Sequence, residues 1–247
     1  MKIIMNRKAF TALCLTSLIT LSCAIPHQVM ADDNQPKEGI PGRRVGGGTR
    51  GECYSNAGKL MALVPENNLV LTQQAYPNIL FYIPQTSKPT AIEFVLKDDK
   101  RQLVYEKTFT KDASETKTDS GEVINLMSLD SQSLPELRIN QKYHWYLSII
   151  CDRENRANDI VVHGWIQRVA VDKNLAQKLE RASVLERTHL YAQAGLWQDA
   201  LATLAELRYN QPRDTKLAAS WTQLLNSENL NAIAQEPLLS IKVYKQP

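Results

Sequence analysis

The sequence predicts an α+β protein: an antiparallel immunoglobulin-like β-sandwich followed by a C-terminal helical segment with one TPR-like helix pair. Three observations carry that prediction. Between residues 60 and 169, short apolar runs alternate with breaks marked by Pro, Asp and polar residues, the pattern of a sandwich or barrel. At Asp172 the apolar period changes from two to about 3.6, the mark of amphipathic helices. The aromatic-rich stretch 143–152, ending on Cys151 and Asp152, alternates as a central strand does.

Residues 1–31 are expected to be a signal peptide. Lys2, Arg7 and Lys8 precede a mostly apolar run over 9–25, and Val29-Met30-Ala31 supplies small residues where a signal peptidase reads them. Removing this segment takes away three positive charges, so the formal net charge falls from +3 to zero. The halves 32–172 and 173–247 then carry −2 and +2. That balance excludes the basic footprint of a nucleic-acid binder, and no membrane span is expected after processing. The expected location is periplasmic or extracellular.

Cys14 and Cys23 leave with the leader, and Cys53 and Cys151 remain. Two cysteines in an exported chain are expected to pair. Closing a loop of about 100 residues is worth roughly 4–5 kcal/mol in the chain-entropy model, less any strain.

Residues 32–52, rich in Gly and Arg, read as a flexible arm, since each glycine raises the cost of ordering. The β-domain is expected over 53–171. Its runs are 60–64, stopped by Pro65; 69–72; 79–83, stopped by Pro84; 91–96 and 103–109 around a turn at 97–100; 123–126; 143–152; and 160–169. Residues 111–120 read as a loop, and 133–137 as a short helical turn.

The last two strands allow a register. A symmetric loop sets Asp152 opposite Asp159 and pairs Trp145 with Ile166, Leu147 with Gly164, Ile149 with Val162 and Cys151 with Ile160 on a core face. The other face carries His144 with Gln167, Tyr146 with Trp165, Ser148 with His163, and Ile150 with Val161. That half-polar, half-aromatic set is a covered or ligand-facing surface.

The helical segment is expected over 172–227, with a tail at 228–247 that includes a closing strand. Leu175, Leu179 and Ala182 share one helical face. Ala200, Leu201, Leu204 and Leu207 share another, with Gly195 between the two helices. Pro212 ends the second, and Asp214 caps a third containing Leu217, Trp221 and Leu224. Tyr191, Gly195, Ala200, Leu204 and Pro212 stand at tetratricopeptide spacing. One such unit is too few for a solenoid, so the helices are expected to pack on the β-domain, with the His163 face as the nearest partner.

Several motifs together resemble a known family. They are Gly42-Arg43-Arg44 through Gly51 with Cys53, Leu63-Val64-Pro65-Glu66, Phe81-Tyr82-Ile83-Pro84, Tyr143-His144-Trp145-Tyr146 with Cys151-Asp152, and Gly164 to Val169. In that order they resemble the secreted cyanobacterial proteins grouped as domain of unknown function family number 928. The resemblance implies export and a shared fold, and implies no catalytic residues.

Gly46, Gly48 and Gly51 satisfy a dinucleotide pattern in the wrong context, with no preceding strand and no following helix. Arg43, Arg44 and Arg50 are a candidate anion-binding set, able to hold a carboxylate, a sulfate or an acidic sugar. In the symmetric register His144 and His163 stand four residues apart, about 13 Å at strand rise, too far to share a metal ion, and His189 has no helical partner. No metal or cofactor is expected. Ser148 opposite His163 has neither an oxyanion hole nor a nucleophile elbow. Asp152 and Asp159, flanked by Arg153, Glu154 and Arg156, read as a surface ion network. No catalytic residue is assigned. The candidate ligand-facing surface is His144, Tyr146, Ser148, His163 and Trp165. The expected role is a non-enzymatic interaction module of the cell envelope with a protein or glycan partner. The alternative is a glycan-binding protein or hydrolase using the His163 face.

Overall fold

A computed structural model of the chain describes residues 40–46, 59–84, 91–111, 122–125, 134–238 and 244–245. The described strands are β1 (Met61–Leu63), β2 (Leu69–Thr72), β3 (Leu80–Ile83), β4 (Ala91–Asp98), β5 (Leu103–Lys111), β6 (Glu122–Asn125), β7 (Lys142–Ile150), β8 (Ile160–Arg168) and β9 (Tyr244–Lys245). Four helices follow β8: α1 (Lys173–Arg181), α2 (Val184–Gln193), α3 (Trp197–Asn210) and α4 (Thr215–Asn226). The protein is therefore mixed α and β. One sheet has the order β1-β3-β6 and the other β2-β8-β7-β4-β5-β9.

The main core is made by both sheets. Phe81 and Ile83 from β3 meet Phe94, Leu96, Trp145, Leu147, Ile149, Val162 and Ile166. The Phe81 ring stands edge-on to Trp145 at 5.5 Å and to Phe94 at 6.4 Å, the geometry aromatic quadrupoles favour. Gly164 makes room for this: a Cβ there would lie 2.6 Å from Trp145 Cζ2 and 3.1 Å from the Asn68 carbonyl.

β2 and β8 run parallel, with Leu69 beside Trp165 and Thr72 beside Arg168, so the six-stranded sheet is not purely antiparallel. The chain leaves β1 in one sheet and enters β2 in the other through a tight turn, in which Asn68 N donates to the Pro65 carbonyl at 3.0 Å and Asn68 adopts φ 58°. Asparagine tolerates that left-handed conformation better than most residues.

β3 is buried at every position. Its unbroken apolar run reads, in retrospect, as a strand covered on both faces. Leu80 and Tyr82 point away from the main core and, with Leu63, meet Trp197, Leu201, Leu204, Leu217, Trp221 and Leu225 of α3 and α4. The helices thus bury their apolar faces on the three-stranded sheet. The expectation that they cover the His163 face is corrected: they reach the outer side of the six-stranded sheet only at its β2 edge, where Leu71 packs with Leu179, Tyr191 and Leu196.

The helical segment holds four helices where three were expected. Ser183 breaks the first, because its hydroxyl accepts from Glu186 N and the Glu186 carboxylate accepts from Ser183 N, a reciprocal capping box. Asp214 caps α4 as expected, its Oδ1 accepting from Lys216 N and Leu217 N. Gly195 turns the chain between α2 and α3 at φ 73°. β9 pairs with β5 at the sheet edge.

The arm is more ordered than its glycines suggest. Over 40–46 it is hydrogen-bonded to both sheets, contrary to the expected flexibility: Arg43 and His163 exchange backbone bonds of 2.8 and 3.0 Å, Ala62 N donates to the Arg44 carbonyl at 2.8 Å, and Gly46 N donates to the Leu60 carbonyl at 2.8 Å. Arg50 and Cys53 lie outside the described residues, and with Cys53 the expected disulfide to Cys151. The loop expected at 111–120 lies outside them from residue 112 onward, and so does residue 133 of the expected turn at 133–137. Among the described residues no helix is long and apolar enough to cross a membrane.

Candidate functional site

The β7–β8 hairpin sets the site. Its pairing is shifted by two residues from the symmetric one: His144 faces Trp165, Tyr146 faces His163, Leu147 faces Val162 and Ser148 faces Val161. The cause is an asymmetric connection, in which a 3-10 turn at Arg156–Asn158 is capped by Asn155. A two-residue shift preserves parity. Trp145, Leu147 and Ile149 therefore still face the core, while every cross-strand partner changes.

On the outer face the residues fall into rows. Leu69, Trp165, His144 and Lys97 form one, from β2 to β4. Arg43, His163, Tyr146 and Val95 form the next. Val161, Ser148 and Glu93 form the third. His144, Tyr146, His163 and Trp165 are each half-buried. Among the described residues no helix packs over this part of the sheet.

The side chains form a hydrogen-bonded and stacked strip. Tyr146 Oη lies 2.9 Å from His144 Nδ1, and His144 Nε2 lies 2.9 Å from His163 Nδ1. The His144 ring stacks on Trp165 at 4.4 Å and 13° and sits 4.2 Å from the Tyr146 ring. Trp165 Nε1 donates to the Pro41 carbonyl at 3.1 Å, which fixes the indole. With the Tyr146 hydroxyl donating, protons run from Tyr146 to His144 to His163 and leave His163 Nε2–H at the end. Among the described residues nothing accepts from that nitrogen.

Both imidazoles are pushed toward their neutral forms. Burial, then the charges of His163, Lys97 and Arg101, push His144 down to about 4. Burial, then Arg43, pushes His163 below its ordinary value. Lys97 reaches over the strip, its Nζ 5.6 Å from the Tyr146 ring centroid.

The structure brings four of the five surface residues together and sets Ser148 apart. Ser148 is buried between Val161 and Glu93, so the Ser148–His163 pair does not form. The 13 Å separation of His144 and His163 is likewise replaced by direct contact. Among the described residues no group of three or more His, Cys, Asp and Glu is placed to hold a metal ion. Asp159 and Glu93 both pair with Arg156, a surface ion network, and the Asp152 carboxylate accepts from Glu154 N.

The arginine set divides. Arg44 Nη1 donates to the carbonyls of Val64 (3.2 Å) and Glu228 (2.7 Å); it stitches the arm to the end of α4 and is spent on structure. Arg43 is exposed beside His163. Lys97 and Arg101 were not foreseen as site residues. Lys97 lies on the outer face by the same parity as His144, a signal readable once β4 is placed beside β7.

A second perturbed group was not foreseen. Asp199, 5 % exposed in the first turn of α3, accepts from Thr72 Oγ1 at 2.6 Å and Gln73 N at 2.9 Å. Burial pushes its carboxyl up to about 6 against those hydrogen bonds. It borders a cavity of about 480 Å³ with Asn78, Arg187, Tyr191 and Glu206. In sequence it reads only as an acid suited to a helix N-terminus. His189 borders a separate cavity of about 590 Å³ between β2 and α2–α4.

A two-sheet, four-helix protein with this strip falls within a defined protein family. The chain matches the family model described as Domain of Unknown Function (DUF928) over residues 45–238 and belongs to that family. No curated protein matches it.

Proposed function

We propose that this protein is an exported, non-enzymatic interaction module of the cell envelope. It engages its partner through the strip of His144, Tyr146, His163 and Trp165. One observation carries the reading: the helices spend their apolar faces on the three-stranded sheet and leave this aromatic and imidazole strip without a cover among the described residues. Aromatic side chains at a free surface supply contact area at low entropy cost.

Export rests on the leader at residues 1–31, and the Cys53–Cys151 bridge belongs to the same reading. Alkylation of two cysteines only after reduction supports the bridge; two thiols reactive in the native protein reject it. The immunoglobulin-like description is supported by two sheets around one core and opposed by the parallel β2–β8 pair. The TPR-like description of α2 and α3 is supported by Gly195 at the turn and by Ala200 and Leu204, both fully buried.

A glycan is the partner class the strip favours, because indole, phenol and imidazole groups combine apolar surface with hydrogen-bonding edges. The hydrolase reading loses its pair, since Ser148 does not reach His163. Capture from envelope fractions tests the module. The intact chain is expected to retain a component that the Tyr146→Ala/Trp165→Ala variant loses. Equal capture by both proteins, or none by either, rejects the assignment.

A further inference from the structure

We infer that the strip is an anion site, and that the glycan it takes is acidic: a carboxylate-bearing polysaccharide. The inference rests on the binding role proposed for this face and names the ligand class.

Three cations gather around the imidazole pair from three separate elements. Arg43 comes from the arm, bridged to His163. Lys97 comes from β4, paired with His144. Arg101 comes from the turn after β4, close enough to bear on His144 electrostatically. Among the described residues none of the three forms a salt bridge. The acids of the same region are committed or set away. Glu93 is held by Arg156. The Asp98 carboxylate accepts from the backbone of Lys100 and Gln102. Asp99 is met by Gln141 at 3.5 Å, and Glu106, exposed on the same outer face, is separated from Tyr146 by Val95.

Among the described residues no carboxylate therefore compensates the positive field beside His163, where the hydrogen-bond chain ends on Nε2–H when the Tyr146 hydroxyl donates. A carboxylate there meets that donor and the Arg43 guanidinium together, and charge-assisted bonds of this kind are the strong ones. The sugar ring then lies along the indole and phenol edges. A cation at the same place would meet Arg43, Lys97 and Arg101, which disfavours a metal ion between the histidines.

A seated anion also favours protonated imidazoles. The groups facing His144 and His163 are Tyr146 on β7, Lys97 on β4, Arg101 on the turn and Arg43 on the arm, so among the described residues no acid supplies the compensating charge. Binding must then tighten as pH falls.

The test is titration of the intact chain with polygalacturonate, beside neutral dextran. Binding to polygalacturonate alone is expected, tighter at about pH 5 than at about pH 7.5 by roughly threefold or more. The Arg43→Gln/Lys97→Gln/Arg101→Gln variant should bind at least about tenfold more weakly. Lys173→Gln/Lys178→Gln/Arg181→Gln, which removes as many charges from α1, should bind as the parent does. Equal binding to dextran, equal losses in the two variants, or no binding to polygalacturonate overturns the inference. If envelope capture still depends on Tyr146 and Trp165 in that case, the module stands and its ligand is not an acidic glycan.

Discussion

His144 and Asp199 are both pushed toward their neutral forms, and their effects on stability have opposite signs. His144 titrates near 4 in the folded protein against 6.5 ordinarily, so the unfolded chain takes up the proton first. Its contribution is fully present above about 6.5 and is lost as pH falls toward 4. Asp199 titrates near 6 against 3.8, so the folded protein takes up the proton first. Its contribution is fully present below about 3.8 and is lost as pH rises toward 6. Between these limits the two oppose each other. Asp199→Asn should make stability rise more steeply with pH from 4 to 6, and His144→Asn should make it rise less steeply. Urea midpoints measured across that range decide; an unchanged slope in either variant contradicts the assignment of that group. Gly164 is the other position at which one atom matters. Gly164→Ala forces a methyl onto Trp145, and a drop of about 1–3 kcal/mol in unfolding free energy is expected, as for other overpacked cores. A change below a few tenths would mean that the indole yields freely.

Among the elements, the β7–β8 hairpin shows what alternation determines and what it leaves open. Parity assigns Trp145, Leu147 and Ile149 to the core whether the loop is symmetric or not. It cannot choose between registers two residues apart, because both bury the same side chains. The 3-10 turn after Asn155 makes that choice, and with it the contact of His144 with His163. Ser183 and Glu186 are the opposite case, since their spacing is a helix-start signal visible in the sequence. Reading it separates α1 from α2 and gives four helices. Ser183→Ala should cost about 1 kcal/mol, measured by chemical denaturation, with no change in the strip. A loss of binding in that variant would show that the helices and the strip are coupled.

At the scale of the molecule, Arg44 joins three parts of the fold. Its guanidinium donates to Val64 after β1 and to Glu228 beyond α4, while its backbone carbonyl accepts from Ala62. Glu228 in turn accepts from Glu66 N at 2.9 Å. Arg44→Met keeps the stem and removes the donors. A loss of about 1.5–3 kcal/mol is expected for hydrogen bonds to a charged group, reported by the unfolding midpoint. Full stability in that variant would leave the arm without this structural anchor. Arg43, one residue away, is exposed, and its substitution should leave the midpoint in place. The pair thus separates a structural arginine from one proposed to meet a ligand.

The sequence by itself determined the strand runs between 60 and 169, the change to helices at Asp172, the core face of the central hairpin, the cap at Asp214 and the family. Those follow from local periodicity and turn chemistry, which act over a few residues. The tertiary structure decided which sheet the helices cover, that β2 runs parallel to β8, and that Arg43, Lys97 and two histidines meet on one face. These depend on apolar surfaces far apart in the chain choosing among partners. The helices had two candidate faces, and the three-stranded sheet offered the buried apolar surface of Leu63, Leu80 and Tyr82. The described helices leave the half-polar face uncovered.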